Sequence, residues 1–72
     1  MNRRVARLAF IKNVMTKRDT INAYEVSIML NCSVTLAYQL LHQLALLEPN
    51  TYEYDRGILR KKVNANALTP SE

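Results

Sequence analysis

The sequence predicts a mainly α domain: three helices closed by a small β-hairpin. Three observations predict it. Residues 2–17 contain no Gly or Pro and repeat apolar side chains at three- and four-residue spacing. Residues 22–47, NAYEVSIMLNCSVTLAYQLLHQLALL, read as two helices joined by a tight turn, with a capping residue before each. Residues 51–63 follow a strand-turn-strand pattern around the single glycine, Gly57.

The first helix is expected over residues 2–17. Val5, Leu8, Ile11 and Met15 form its stripe, widened by Ala6, Ala9, Phe10 and Val14. A helix apolar over more than one face packs against more than one thing, so a second subunit is one expected cover. Residues 17–21 connect, with room for a short strand at Thr20–Ile21. Asn22 then caps a second helix over Ala23–Leu30, and Glu25 stands three residues later, as in a capping box. Ala23, Val26, Met29 and Leu30 are expected inside, and Tyr24 and Ile28 outside.

Asn31 and Cys32 make the turn, because Asn tolerates the left-handed conformation at a helix end. Cys32 is expected as a small buried apolar residue. Ser33 caps the third helix, Val34–Leu47. At about 100° per residue, Val34, Ala37, Leu40, Leu41, Leu44 and Leu47 gather on one side. Thr35, Gln39 and His42 gather on the other, with Tyr38 beside them and Leu46 also outward. Pro49–Asn50 ends the helix. A strand is expected at residues 51–54, a loop at Asp55–Gly57 with Gly at positive φ, and a returning strand at Ile58–Val63. Residues 1–63 thus form the domain, and residues 64–72 read as a flexible tail.

Composition bounds the function. At 72 residues the chain holds one domain with a modest core. An apolar content of 49% with only one Gly argues against disorder. A single Cys excludes an internal disulfide. No run approaches the roughly 20 apolar residues of a membrane span, and no signal-peptide pattern follows the basic start. A soluble cytoplasmic protein is expected, associated with the nucleoid when bound. One His and one Cys make a zinc site unfavourable. There is no Gly-rich phosphate loop and no carboxylate pair at a spacing suited to acid–base work, so an enzyme, a cofactor or a small-molecule ligand is not expected.

The net charge is +4, and its layout is uneven. Arg3, Arg4, Arg7, Lys12, Lys17 and Arg18 precede the first acid, Asp19. Residues 19–55 contain acids and no Lys or Arg, and Arg56, Arg60, Lys61 and Lys62 follow. Two basic ends suit an anionic partner. Arg3, Arg4 and Arg7 also sit near a helix N-terminus, where cations oppose the macrodipole.

The run EVSIMLNCSVTLAYQLLHQL resembles small prokaryotic winged helix-turn-helix domains. Glu25, Val26 and Ser27 match the start of their second helix, Leu30 the pre-turn leucine, and Cys32 and Ser33 the turn. Ala37, Leu41 and Leu44 match the inner face of the recognition helix. The resemblance covers about residues 8–63, and the compact size is similar to small regulators of archaea, their viruses and plasmids. It implies a double-stranded DNA partner and a role in transcription regulation. Helix 3 would enter the major groove, with Thr35, Gln39 and His42 toward bases and Tyr38 at the groove edge. Ser33 and the amides behind it would hold a phosphate. Arg56, Arg60, Lys61, Arg3 and Arg4 would bind phosphates. Helix 3 carries no Lys or Arg, which departs from the commonest specific contact, Arg to guanine.

A homodimer is expected, because two copies double a small set of phosphate contacts. Phe10, Val14, Tyr24, Ile28 and Leu46 are the interface candidates. Two other readings fit the same fold: a protein-interaction adaptor, and an architectural or recombination accessory protein with little sequence preference.

Overall fold

The computed structural model describes residues 3–62. They form α1 (Arg3–Met15), β1 (Thr20–Asn22), α2 (Ala23–Leu30), α3 (Val34–Leu47), β2 (Tyr52–Asp55) and β3 (Ile58–Lys61). The result is a small α+β domain with three helices and a three-stranded antiparallel sheet. The expected hairpin is therefore part of a larger sheet: β1 pairs with β3, and the order is β1-β3-β2. Ile21 supplies the reason. It alternates inward between exposed Thr20 and Asn22, opposite Leu59, which is also fully buried.

The helix boundaries follow local chemistry. α1 stops at Met15, and the Thr16 hydroxyl donates to the Asn13 carbonyl at 2.6 Å. Asn22 ends β1 and caps α2. Its Oδ1 accepts from the Glu25 N–H at 2.8 Å, and Glu25 Oε1 accepts from the Asn22 N–H at 3.1 Å. Asn31 closes α2 at φ 54°, in the left-handed region. Its N–H donates to Ile28 O and the Cys32 N–H to Ser27 O, a paired closure of the last turn. Ser33 Oγ accepts from the Leu36 N–H at 3.0 Å and starts α3. α3 ends before Pro49, whose ring disfavours a helical residue ahead of it.

One core joins all six elements. α1 gives Leu8, Ile11 and Met15, β1 gives Ile21, and α2 gives Ala23 and Val26. α3 gives Ala37, Leu40, Leu41 and Leu44, and the hairpin gives Tyr52 and Leu59. Cys32 is half-buried and packs against this core, less enclosed than expected.

Several side chains expected inside are exposed: Val5, Met29, Val34 and Leu47. Val5, Val34 and Leu47 lie in terminal turns of α1 or α3, where the small core has run out. Met29 lies about 60° round α2 from buried Val26, at the margin of the inward face. α1 ends at Met15, short of the expected residue 17, and β3 ends at Lys61. Lys62, expected in the strand, lies beyond it, while position 63 and the expected tail at 64–72 lie outside the described residues.

Candidate nucleic-acid interface

Burial of Ala37, Leu40, Leu41 and Leu44 dictates what α3 presents outward. Thr35, Gln39, His42 and Leu46 occupy the opposite arc, and all four are exposed. This stripe offers a hydroxyl, an amide and an imidazole before an apolar end. Ser33 sits at its start, with its hydroxyl engaged as the cap. The remaining amides of the first turn lie at the positive end of the helix dipole.

The hairpin borders one flank of the stripe. Tyr38 lies on Gly57: a β-carbon there would stand 2.6 Å from Tyr38 Cε1. One turn on, the His42 ring meets Tyr54, with centroids 5.2 Å apart and planes at 32°. The other flank meets α1, where Arg4 Nη1 donates to Gln43 Oε1 at 2.6 Å. Arg4 is thereby placed beside α3, while Arg3 lies exposed at the start of α1.

Arg56 and Gly57 form the two-residue turn at φ 51° and 82°, a pair of positive values suited to the twist of a tight hairpin. The turn is fastened twice. Gly57 O accepts from the Ala23 N–H at 2.9 Å, satisfying an amide of the first turn of α2, and Tyr38 covers the α-carbon. β1 pairs with β3 as far as Ile58, so the hairpin tip stays against the body of the domain.

The three hairpin cations expected on a phosphate strand do not share a face. Arg56 stands at the tip, 91% exposed, with Asp55 Oδ1 at 3.5 Å from its Nε. Arg60 lies on the outer face and is bound to its cross-strand neighbour Glu53 at 3.0 Å. Lys61 alternates to the inner face, opposite Tyr52. Period-two alternation separates Arg60 from Lys61, and the register sets Arg60 against Glu53.

Two ionic clusters hold the frame, and neither was drawn from the sequence. Arg18 Nη2 meets Glu25 Oε2 at 2.8 Å, tying the connector to the capping box. That guanidinium, with the Asn22 N–H, holds the Glu25 carboxyl below its ordinary range. Lys12 pairs with Glu48, joining α1 to the end of α3. The hydrogen bond and charge of Glu48 raise Lys12, while burial and then Glu48 raise the Tyr52 phenol. The opposite charges at Lys12 and Glu48 were legible, but their pairing depends on how α1 crosses α3.

Among the interface candidates, Phe10, Tyr24, Ile28 and Leu46 are exposed. Val14 is half-buried and packs against the core. Among the described residues, no group of three or more His, Cys, Asp or Glu could hold a metal ion, and no helix is long and apolar enough to cross a membrane. Comparison with family models, curated proteins and solved structures gives no match.

Proposed function

We propose that this chain is a DNA-binding protein of winged helix-turn-helix type, acting as a transcriptional regulator. The observation that carries the reading is the exposed Thr35–Gln39–His42 stripe on α3, with Arg56 beyond one flank and Arg4 beside the other. The order α1-β1-α2-α3-β2-β3 and the sheet order β1-β3-β2 are compatible with that architecture. The three-residue turn between α2 and α3 is of the length a helix-turn-helix uses.

In this reading α3 lies in the major groove. Gln39 pairs with an adenine edge through two hydrogen bonds, and Thr35 meets a thymine methyl or a base acceptor. Phosphate affinity comes from Arg56, from Arg3 and Arg4, and from the amides at the start of α3 behind Ser33. Arg60 and Lys61 contribute less, one being paired with Glu53 and the other turned to the inner face.

The test is fluorescence anisotropy of a labelled mixed-sequence duplex, titrated at low and moderate salt. Affinity that falls steeply with salt is the expected result, because phosphate contacts release counterions. No binding at low salt overturns the reading. It would favour the adaptor alternative, for which the exposure of Tyr24, Ile28 and Leu46 speaks.

A further inference from the structure

Tyr38 stands on the flank of the α3 stripe, one residue before Gln39 and about 100° round the helix from it. Its ring packs on the α-carbon of buried Gly57, which directly follows Arg56 in the chain. One turn further along the same flank, the His42 ring meets Tyr54 of β2. From the other side, Gly57 O accepts from the Ala23 N–H at 2.9 Å. The hairpin tip is thus held between α2 and α3. We infer that Tyr38 is a positioning residue: it fixes Arg56 relative to Gln39, so that a phosphate contact and a base contact are made together. The inference rests on the DNA-binding reading and assigns a further residue to it.

Arg56 supplies a second, separate observation. Its backbone has φ 51°, in the left-handed region, which Gly or Asn adopts with less strain than Arg. A strained residue persists where its surroundings over-determine the backbone, and such residues gather at functional sites. Here the surroundings do so: β1 pairs with β3 as far as Ile58, the Ala23 amide holds Gly57 O, and the Tyr38 ring closes the remaining side. The cation carried at this tip is 91% exposed, with Asp55 Oδ1 at 3.5 Å from its Nε. An exposed pair at that distance contributes little, so the guanidinium is open to a phosphate.

Holding the tip matters because α3 has no Lys or Arg of its own. A cation on a loose tip gives up backbone freedom when it meets a phosphate. On a tip already fixed, more of the contact appears as affinity. The contact with Gly57 is made by the ring: Cε1, Cδ1 and Cζ line the place a β-carbon would take. Positioning therefore needs the ring and not the hydroxyl, whereas a hydrogen bond from Tyr38 to DNA would need the hydroxyl.

A double-variant cycle on a labelled duplex tests this, read as affinity and as log–log salt slope. Arg56→Ala should lower the slope by about one, the loss of one phosphate contact. Tyr38→Ala should lower it nearly as much, although it removes no charge. Joining the two should weaken binding by less than about twofold beyond Arg56→Ala alone. Tyr38→Phe should restore the wild-type slope, and preference at the base pair read by Gln39 should survive in Tyr38→Ala. Losses that multiply in the double variant, or a Tyr38→Phe that behaves as Tyr38→Ala, would give Tyr38 its own contact with DNA and overturn the positioning role.

Trypsin cleavage after Arg56 reads the clamp without DNA. Tyr38→Ala should speed that cut about fivefold by easing local opening of the tip, and Tyr38→Phe should not. An unchanged rate in Tyr38→Ala overturns the inference whatever the chain binds. Faster cleavage together with a wild type that does not bind DNA at low salt overturns the DNA-binding reading, and the role of Tyr38 falls with it.

Discussion

Tyr38 and Gly57 are in direct contact, and the contact leaves no room for a side chain at Gly57. A β-carbon would lie 2.6 Å from Tyr38 Cε1, and the backbone there has φ 82°. Two penalties are therefore expected in Gly57→Ala: the left-handed conformation and the steric overlap. Together they should cost about 2–3 kcal/mol in urea denaturation. Removing the ring separates them. In a Tyr38→Ala background, Gly57→Ala should cost only about 1 kcal/mol, the backbone part. Additive costs in the double variant would show that the two residues do not share this strain.

The turn that Tyr38 holds carries Arg56, and the strand after it carries Arg60. In the proposed DNA-binding reading, their surroundings predict different behaviour. Arg56 is almost fully exposed and meets Asp55 only at 3.5 Å, whereas Arg60 is half-exposed and engaged by Glu53 at 3.0 Å. Arg56→Ala should lower affinity for all duplexes and reduce the log–log salt slope by about one. Arg60→Ala should change the slope by less, since Glu53 competes with a phosphate for its guanidinium. Equal losses in the two variants would mean that the Glu53 pair opens on binding.

The elements were legible because their signals are local. The Asn22–Glu25 capping pair, Ser33 and Pro49 set the bounds of α2 and α3 without reference to the rest of the chain. What sequence spacing leaves open depends on contacts between distant residues. A three-residue strand such as Thr20–Asn22 has too few positions to show alternation by itself, and only the pairing of Ile21 with Leu59 makes it a strand. The outward stripe of α3 was legible as the complement of its leucines. The separation of Arg60 from Lys61 follows from alternation along β3, while the loss of Arg60 to Glu53 follows from the register, which the Arg56–Gly57 turn sets.

Gln39 faces away from Ala37, Leu40 and Leu41, so truncating it removes no core packing. Gln39→Ala should leave thermal stability unchanged within about 0.5 kcal/mol. On DNA it should relax discrimination at one base pair by about 1–3 kcal/mol and leave affinity for mixed sequence nearly intact. Selection of binding sites from a random pool, with wild type and variant side by side, checks this. An unaltered preference would remove Gln39 from base reading and shift attention to Thr35 and His42.

Glu25 holds two partners at once: the Arg18 guanidinium at 2.8 Å and the Asn22 N–H at 3.1 Å. Both favour its charged form, so its pKa in the folded chain lies below the ordinary 4.5. A carboxylate lowered on folding adds stability that is complete above its unfolded value and is lost as the pH falls through the folded one. Glu25→Gln keeps an oxygen for the Asn22 N–H but removes the charge. The variant should therefore melt below wild type at neutral pH, and the gap should close as the pH falls below about 4. Arg18→Gln should raise the Glu25 pKa, read directly by NMR titration of its side-chain carboxyl, while Asn22→Ala should cost about 1 kcal/mol through the lost cap. A gap between Glu25→Gln and wild type that does not change with pH would mean that the charge of Glu25 adds nothing to the fold, leaving only its hydrogen bond.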